Sequence, residues 1–168
     1  MKNLKVILRA LEPSDIEVLY QWENDDRVWF SSSATRPLSK QTLQLYIDSV
    51  NDIYTDKQVR LIISTDENTV GCIDIYDFDP LNQRAGVGIM IDKKFEGNGY
   101  ALSALQELKH YAFNQLGVHQ LYCYIAANNT RSISLFTKAN FLETGKRKDW
   151  LRINKSWEDE LTFQCFNT

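Results

Sequence analysis

Prolines are scarce in this chain, three in 168 residues, and cysteines are no more common. With so few prolines and only seven glycines, no linker, repeat or low-complexity tract can be drawn. The length therefore reads as one domain, 1–168, able to bury roughly 70% of its unfolded surface. Cys72, Cys123 and Cys165 are odd in number, widely spaced and set in apolar strand-like contexts. That excludes a disulfide framework or a zinc site and suits small buried hydrophobes in a reducing cytoplasm. Histidine is scarcer still: His110 reads as a helix-surface residue and His119 as a strand start, and no metal is expected. Positive charge is not in excess. A net charge of −3 and a pI near 5.4 leave no basic field for nucleic acid, and are compatible with a cationic small-molecule partner. No apolar run approaches membrane-spanning length, and Met-Lys-Asn-Leu-Lys carries no signal-peptide core.

What is present is an alternation of strands and helices. Residues 5–10, 59–63, 70–78, 84–91, 119–126, 141–150 and 157–166 read as strands. Ser14, with Glu17 three residues on, has the form of a capping box for a first helix. Ser39 caps a second helix, whose Leu43, Tyr46, Ile47 and Val50 share one face. Leu102, Leu105, Leu108, Lys109 and Ala112 mark a third, closed by Gly117, and 130–138 a short fourth. Asn140 stands at the last helix exit, where a left-handed residue is usual, and asparagine tolerates that geometry. This order predicts an α/β fold with a mixed central sheet flanked by helices.

The most informative stretch is Phe95-Glu-Gly-Asn-Gly-Tyr-Ala101, between the apolar run 87–91 and the third helix. Strand, glycine loop and helix turn several backbone N–H groups toward one point, and the helix N-terminus adds partial positive charge, so the loop suits a phosphate. Glycines that serve only the turn are the plainer reading. No Lys-Ser or Lys-Thr pair follows, which excludes a Walker A loop. A dinucleotide fingerprint fails too, with Leu102 at the third glycine position and no carboxylate about twenty residues on.

Glu96-Gly97-Asn98-Gly99-Tyr100-Ala101 resembles the Gln/Arg-x-x-Gly-x-Gly/Ala loop of the GNAT acyl-CoA N-acyltransferases, except at Glu96, which is expected to face solvent. A second match follows one helix and one strand later. Asn129-Thr-Arg-Ser132-Ile-Ser-Leu-Phe136-Thr-Lys138-Ala-Asn140-Phe141 is similar to that family's Asn-x-x-Ser-x-x-x-Tyr-x-x-x-Gly-Phe, although Asn-x-x-Ser before a helix is also ordinary capping chemistry. The resemblance runs from Val6 to Phe166, toward the branch holding spermidine and ribosomal-protein N-acetyltransferases. It implies a single GNAT-like domain with acetyl-CoA as co-substrate and a sheet splayed between strands 84–91 and 119–126. Ile89, Met90, Ile91, Gly97, Asn98, Gly99, Tyr100, Ala101, Asn129, Ser132, Phe136 and Lys138 would line the acetyl-CoA site. The segment with Trp29 and Phe30 would border the acceptor.

Amide formation from a thioester needs a neutral amine. Removing the proton from a lysine-like ammonium at pH 7 costs about 4–5 kcal/mol. Ile73 and Ile75 define one strand face, leaving Asp74 and Tyr76 on the other. Asp74 is the first candidate base unless it merely pairs with Arg84, and Asp77 the second, as base or amine anchor. The backbone N–H of Met90 is the candidate donor to the thioester oxygen. Gly86 stands where many relatives carry Glu, and Phe136 where they carry a Tyr that protonates the leaving sulfur; water, Ser134 or Tyr124 are alternatives for that proton. Trp150 and Trp157 read as packing residues, and Asp159 as a contact to acceptor or neighbouring subunit. The leading expectation is direct acetyl transfer to a primary amine, a polyamine or another small amine, by a cytoplasmic enzyme that could be a homodimer. A protein N-terminal or ribosomal-protein acetyltransferase, a CoA-binding module without turnover, and a purely structural domain are the alternatives.

Overall fold

A computed structural model describes residues 4–25, 37–49, 52–153 and 155–167. The chain enters on β1 (Ile7–Ala10) and a 3-10 turn, Pro13–Asp15, that leads into α1 (Ile16–Glu23). The start of α1 is not organised as the sequence predicts. Asp15, not Ser14, organises the corner: its carboxylate accepts the Glu12 N–H at 2.9 Å, closing a capping box on the 3-10 turn, and is gripped at both oxygens by Arg9 at 2.7 Å, while α1 itself carries no side-chain cap. A charge-assisted fork outcompetes a neutral serine hydroxyl for control of this corner. Ser39 does cap α2 (Lys40–Ser49), its hydroxyl accepting the Thr42 N–H, with Leu43 and Ile47 buried beneath. A one-turn helix that the periodicity did not reveal, α3 (Ile53–Asp56), follows; Asp52 caps it by accepting from Tyr54 and Thr55.

Five strands and two helices complete the chain after β2 (Val59–Ser64). They are β3 (Thr69–Asp79), β4 (Arg84–Ile91), α4 (Tyr100–Asn114), β5 (Gln120–Ala126), α5 (Thr130–Lys138), β6 (Leu142–Ile153) and β7 (Ser156–Phe166). The sheet has seven strands in the order β1-β2-β3-β4-β5-β7-β6, and all its pairings are antiparallel except β4 with β5. Alternation sorts the two faces. Ile73, Ile75, Val87, Leu121, Cys123 and Leu161 turn to the face covered by α4, whose Ala104, Leu105, Leu108 and Ala112 are fully buried there. On the opposite face Trp22 of α1 seals Ile62 and Cys72, while Leu19, Leu43 and Ile47 join α1 to α2. The expected left-handed exits are present at Gly117 (φ 67°) and Asn140 (φ 66°). All three cysteines are buried and unpaired, and burial raises Cys72 to about 12 and Cys123 further.

Candidate active site

β4 and β5 pair at three positions only: Arg84 with Gln120, Ala85 with Leu121, and Gly86 with Tyr122. Beyond Gly86 the parallel strands part, while β4 stays paired to β3 up to Ile91 and β5 to β7 up to Ala126. Among the described residues, the edge of β4 over Val87–Ile91 that faces β5 is therefore left without a strand partner. Unpaired backbone groups of this kind need a partner from elsewhere.

At the far end of that opening lies the glycine loop. Gly97 (φ 78°) and Gly99 (φ 89°) are left-handed, and a side chain at Gly97 would meet open space. Asn98 folds back, its amide donating to the Phe95 and Glu96 carbonyls at 3.1 and 3.3 Å. Gly99 is the N-cap of α4 and supplies no side-chain cap, so the first N–H groups of a 15-residue helix point outward without a side-chain acceptor. Loop, helix end and open strand edge together offer donors to a phosphate and to an extended amide chain, which is what CoA presents. The residues present therefore suit that molecule.

Over Gly88, just past the parting, stand the first two predicted acceptor-side residues. A Cβ at Gly88 would lie 3.9 Å from both the Asp74 Cβ and the Tyr76 ring. Gly86 is explained by the same neighbour: a Cβ there would fall within the Tyr76 ring. Tyr76 thus occupies the room that any side chain at position 86 would need, and burial raises its hydroxyl well above the ordinary range. Its ring meets Tyr122 edge-on at 6.1 Å, and Tyr122 meets Tyr124 at 5.4 Å. Burial, aided by the Asp77 carboxylate, pushes Tyr122 up to about 12, so its hydroxyl stays uncharged near pH 7. Asp77 itself is exposed, in a left-handed bulge (φ 48°) where β3 slips against β4.

Asp74 has a partner, but it is not Arg84. Arg60, directly opposite on β2, donates from Nε and Nη2 to its two oxygens at 2.8 Å each. Arg60 also pairs with Glu23 at the end of α1. Burial opposes the Arg60 charge, but Asp74 together with Glu23 and Cys72 outweighs it, and the guanidinium is held well above its ordinary value. Arg60 thus contacts both Asp74 and Glu23. Arg84 instead pairs with Asp79 at 3.2 Å. The Arg60–Glu23 half was not anticipated. An arginine inside the apolar run Val59–Ser64 is its only sequence signal, and register, which sequence does not print, picks the partner.

Other expectations are relocated. Glu96 does not face solvent freely; it receives Arg131 Nη1 at 2.6 Å. Phe136 is 4% exposed and packs edge-on against Phe141 at 5.0 Å, as a core ring. Asn129 accepts the Ser132 N–H at 3.1 Å and so caps α5; Lys138 closes that helix on its exposed side. Met90 packs beside Trp22, whose indole N–H donates to Asp92 at 3.0 Å. Asp159 serves the β6–β7 hairpin, accepting the Asp149 N–H at 2.9 Å and pairing with Lys146 at 2.5 Å. Those bonds, Lys146 first, hold its carboxyl below the usual range. Trp150 and Trp157 are exposed rather than packed away (54% and 60%), although Trp150 and Tyr124 each lie 4.4 Å from the Arg147 guanidinium. Trp29 and Phe30 lie outside the described residues. Among the described residues no three His, Cys, Asp or Glu side chains are grouped to hold a metal, and no helix is long and apolar enough to cross a membrane.

Comparison with known proteins gives a consistent picture. Residues 5–142 match the acetyltransferase (GNAT) domain family. A Bacillus subtilis protein, named provisionally as a ribosomal N-acetyltransferase, is 30% identical over 94% of this chain and 88% of its own length. The spermidine N(1)-acetyltransferase of Vibrio cholerae is 22% identical over 94% and 90%. The crystal structure of the Vibrio cholerae spermidine N-acetyltransferase with CoA and spermine superposes with a TM-score of 0.85 at 21% identity, covering 96% of this chain and 95% of that one.

Proposed function

This chain belongs to the GNAT acetyltransferases, and on that premise we propose that it transfers the acetyl group of acetyl-CoA to a primary amine of a small cationic acceptor, a polyamine or similar amine. The observation that carries the acceptor class is the charge beside the cleft. Asp74 stands over Gly88 at the parting of the strands, and exposed Asp77 adds a further carboxylate on the same strand. Carboxylates beside the cleft favour an ammonium group over an anionic acceptor. The provisional ribosomal naming of the 30% identical relative keeps a protein N-terminus as the second reading.

Acetyl-CoA supplies an activated thioester whose carbonyl is open to attack by a neutral amine. In this reading Gly97, Asn98, Gly99, Tyr100 and Ala101 hold the pyrophosphate with backbone N–H groups, and Ile89 and Ile91 line the open β4 edge with N–H groups that can polarise the thioester oxygen, whereas Met90, first expected in that role, turns its backbone to β3. Asn129, Ser132 and Lys138 border the cleft from α5, with Phe136 fixing that helix from beneath. Asp74 receives the amine proton, directly or through water. Arg60 occupies one direction at each of its oxygens, and an ionised carboxylate has about four acceptor directions, so acceptance at Asp74 remains open. Asp77 anchors a second positive charge, with Tyr76 and the tyrosines beyond it as the floor, and Asp159 steadies the hairpin at its rim. The family's usual phenol is absent at Phe136, so the leaving sulfur departs as thiolate or takes a proton from water or Tyr124; a thiol of pKa about 8.5 is a tolerable leaving group. A cytoplasmic setting accords with the three unpaired cysteines, and exposed Leu142 and Trp150 on edge strand β6 support self-association as a homodimer.

Thiol release from acetyl-CoA, measured against spermidine, spermine, diamines, aminoglycosides and short peptides, tests this reading. Turnover concentrated on the di- and polyamines is expected. Turnover on peptides alone would move the acceptor to protein N-termini, and CoA binding with no release for any amine would leave a binding module.

A further inference from the structure

Asp74 and the open edge of β4 lie on opposite sides of one strand. Register sets Asp74 of β3 beside Gly88, whereas the edge freed by the parting faces β5. An amine that gives its proton to Asp74 and attacks a thioester on that edge therefore has to cross β4. On the face that carries Asp74 the strand presents Gly86, Gly88 and Met90 in turn. At Gly86 the crossing is roofed by Tyr76, whose ring comes within 2.2 Å of where a Cβ would stand. At Met90 the side chain fills it, packed with Trp22. Gly88, between them, is bare. A Cβ there would meet the Asp74 Cβ and the Tyr76 ring at 3.9 Å, an ordinary contact, and Gly88 is partly exposed where Gly86 is buried.

We propose that Gly88 is the slot through which the acceptor amine reaches the thioester, and that Tyr76 and Met90, closing it on either side, restrict the acceptor to an amine carried on an unbranched CH₂. The assignment rests on the acetyl-transfer reading given above, with Asp74 as base, and narrows its substrate class. Same-face positions lie about 6.6 Å apart along a strand. Tyr76 over Gly86 and the Met90 side chain therefore leave between them little more than the thickness of one methylene chain. The ends of a polyamine pass. An amine on a branched carbon, as at any peptide N-terminus except glycine, brings a substituent against one wall or the other. A misfit of one methyl group lowers kcat/KM by about tenfold or more.

Spermidine and its analogue methylated on the carbons beside both primary nitrogens carry the same charge and differ in that branch. Thiol release from acetyl-CoA with each, on wild type, Gly88→Ala and Tyr76→Ala, tests the slot. Wild type should favour spermidine by about tenfold or more in kcat/KM. Gly88→Ala adds a methyl that the fold accommodates and that restricts the unfolded chain. It should keep its Tm and its CoA affinity by calorimetry, yet lose about tenfold or more in kcat/KM for spermidine. Tyr76→Ala opens one wall and should shrink the preference for spermidine over its analogue by about fivefold or more. Equal use of both polyamines by wild type overturns the proposal, as does a Gly88→Ala enzyme with wild-type kcat/KM or a Tyr76→Ala enzyme with the wild-type preference. Release with peptides that begin with alanine, and with neither polyamine, overturns it too. No release with any acceptor overturns instead the acetyl-transfer reading on which it rests.

Discussion

Replacing Asp74 by Asn separates the chemistry assigned to this carboxylate from its place in the fold. The shape is kept, but the charge goes and one oxygen becomes an NH₂ that confronts the Arg60 guanidinium, donor against donor. One of the two 2.8 Å bonds is lost, while Glu23 still neutralises Arg60. Asp74 and Arg60 side chains are 29% and 22% exposed, so the cost is that of a partly buried charged hydrogen bond, about 1–3 kcal/mol. For a domain of this size that lowers Tm by roughly 3–10 °C. Activity should suffer far more. A lost general base costs about 10²–10⁴-fold, in kcat rather than in the KM for acetyl-CoA, because the 97–101 loop is untouched. Steady-state kinetics at 20 °C, with CoA affinity by calorimetry and folding by circular dichroism, make the comparison. A folded Asp74→Asn enzyme with kcat within about threefold of wild type would refute the assignment.

Four further outcomes follow from particular contacts. Gly86→Ala drives a methyl into the Tyr76 ring and should destabilise by about 1–3 kcal/mol; adding Tyr76→Ala should relieve the clash, read by chemical denaturation. Asn129→Ala removes the α5 cap and should cost about 0.5–2 kcal/mol of stability in the same assay. Cys72 is raised by burial to about 12, so a thiol reagent at pH 8 should leave it unmodified in the native protein and label it on denaturation. Asp15 is held below its ordinary value by the Arg9 hydrogen bonds. Its contribution is therefore present above the unfolded carboxyl pKa near 4 and lost as pH falls through the folded value; Asp15→Asn should flatten the loss of stability seen below about pH 4.

The sequence reading went furthest where chemistry is local. The 95–101 loop, the Ser39 cap and the left-handed exits at Gly117 and Asn140 depend on residues close in the chain, and so does the alternation that sends Ile73 and Ile75 to the core. The parting of β4 and β5 was anticipated from family resemblance, not from periodicity. What was missed depends on register and on competition. Arg60 takes Asp74 because β2 sets them opposite each other, where Arg84 had been the expected partner; Arg131 reaches Glu96 from 35 positions away in sequence. Ser14 makes no cap; the capping box closes one turn earlier, between Glu12 and Asp15, where Arg9 fixes the Asp15 carboxylate. Phe136 reads as a site residue by motif, yet it packs on Phe141, which only the folded core reveals.

Backbone amide NMR of the 168-residue chain on titration with CoA tests the central claim most directly, since it reports on the cleft residue by residue. The account predicts the largest shifts at Gly97, Gly99, Tyr100 and Ala101, with a second group over Val87–Ile91 along the open β4 edge, and little change on β1 or β2. Saturable CoA shifts that leave both groups unmoved would contradict it.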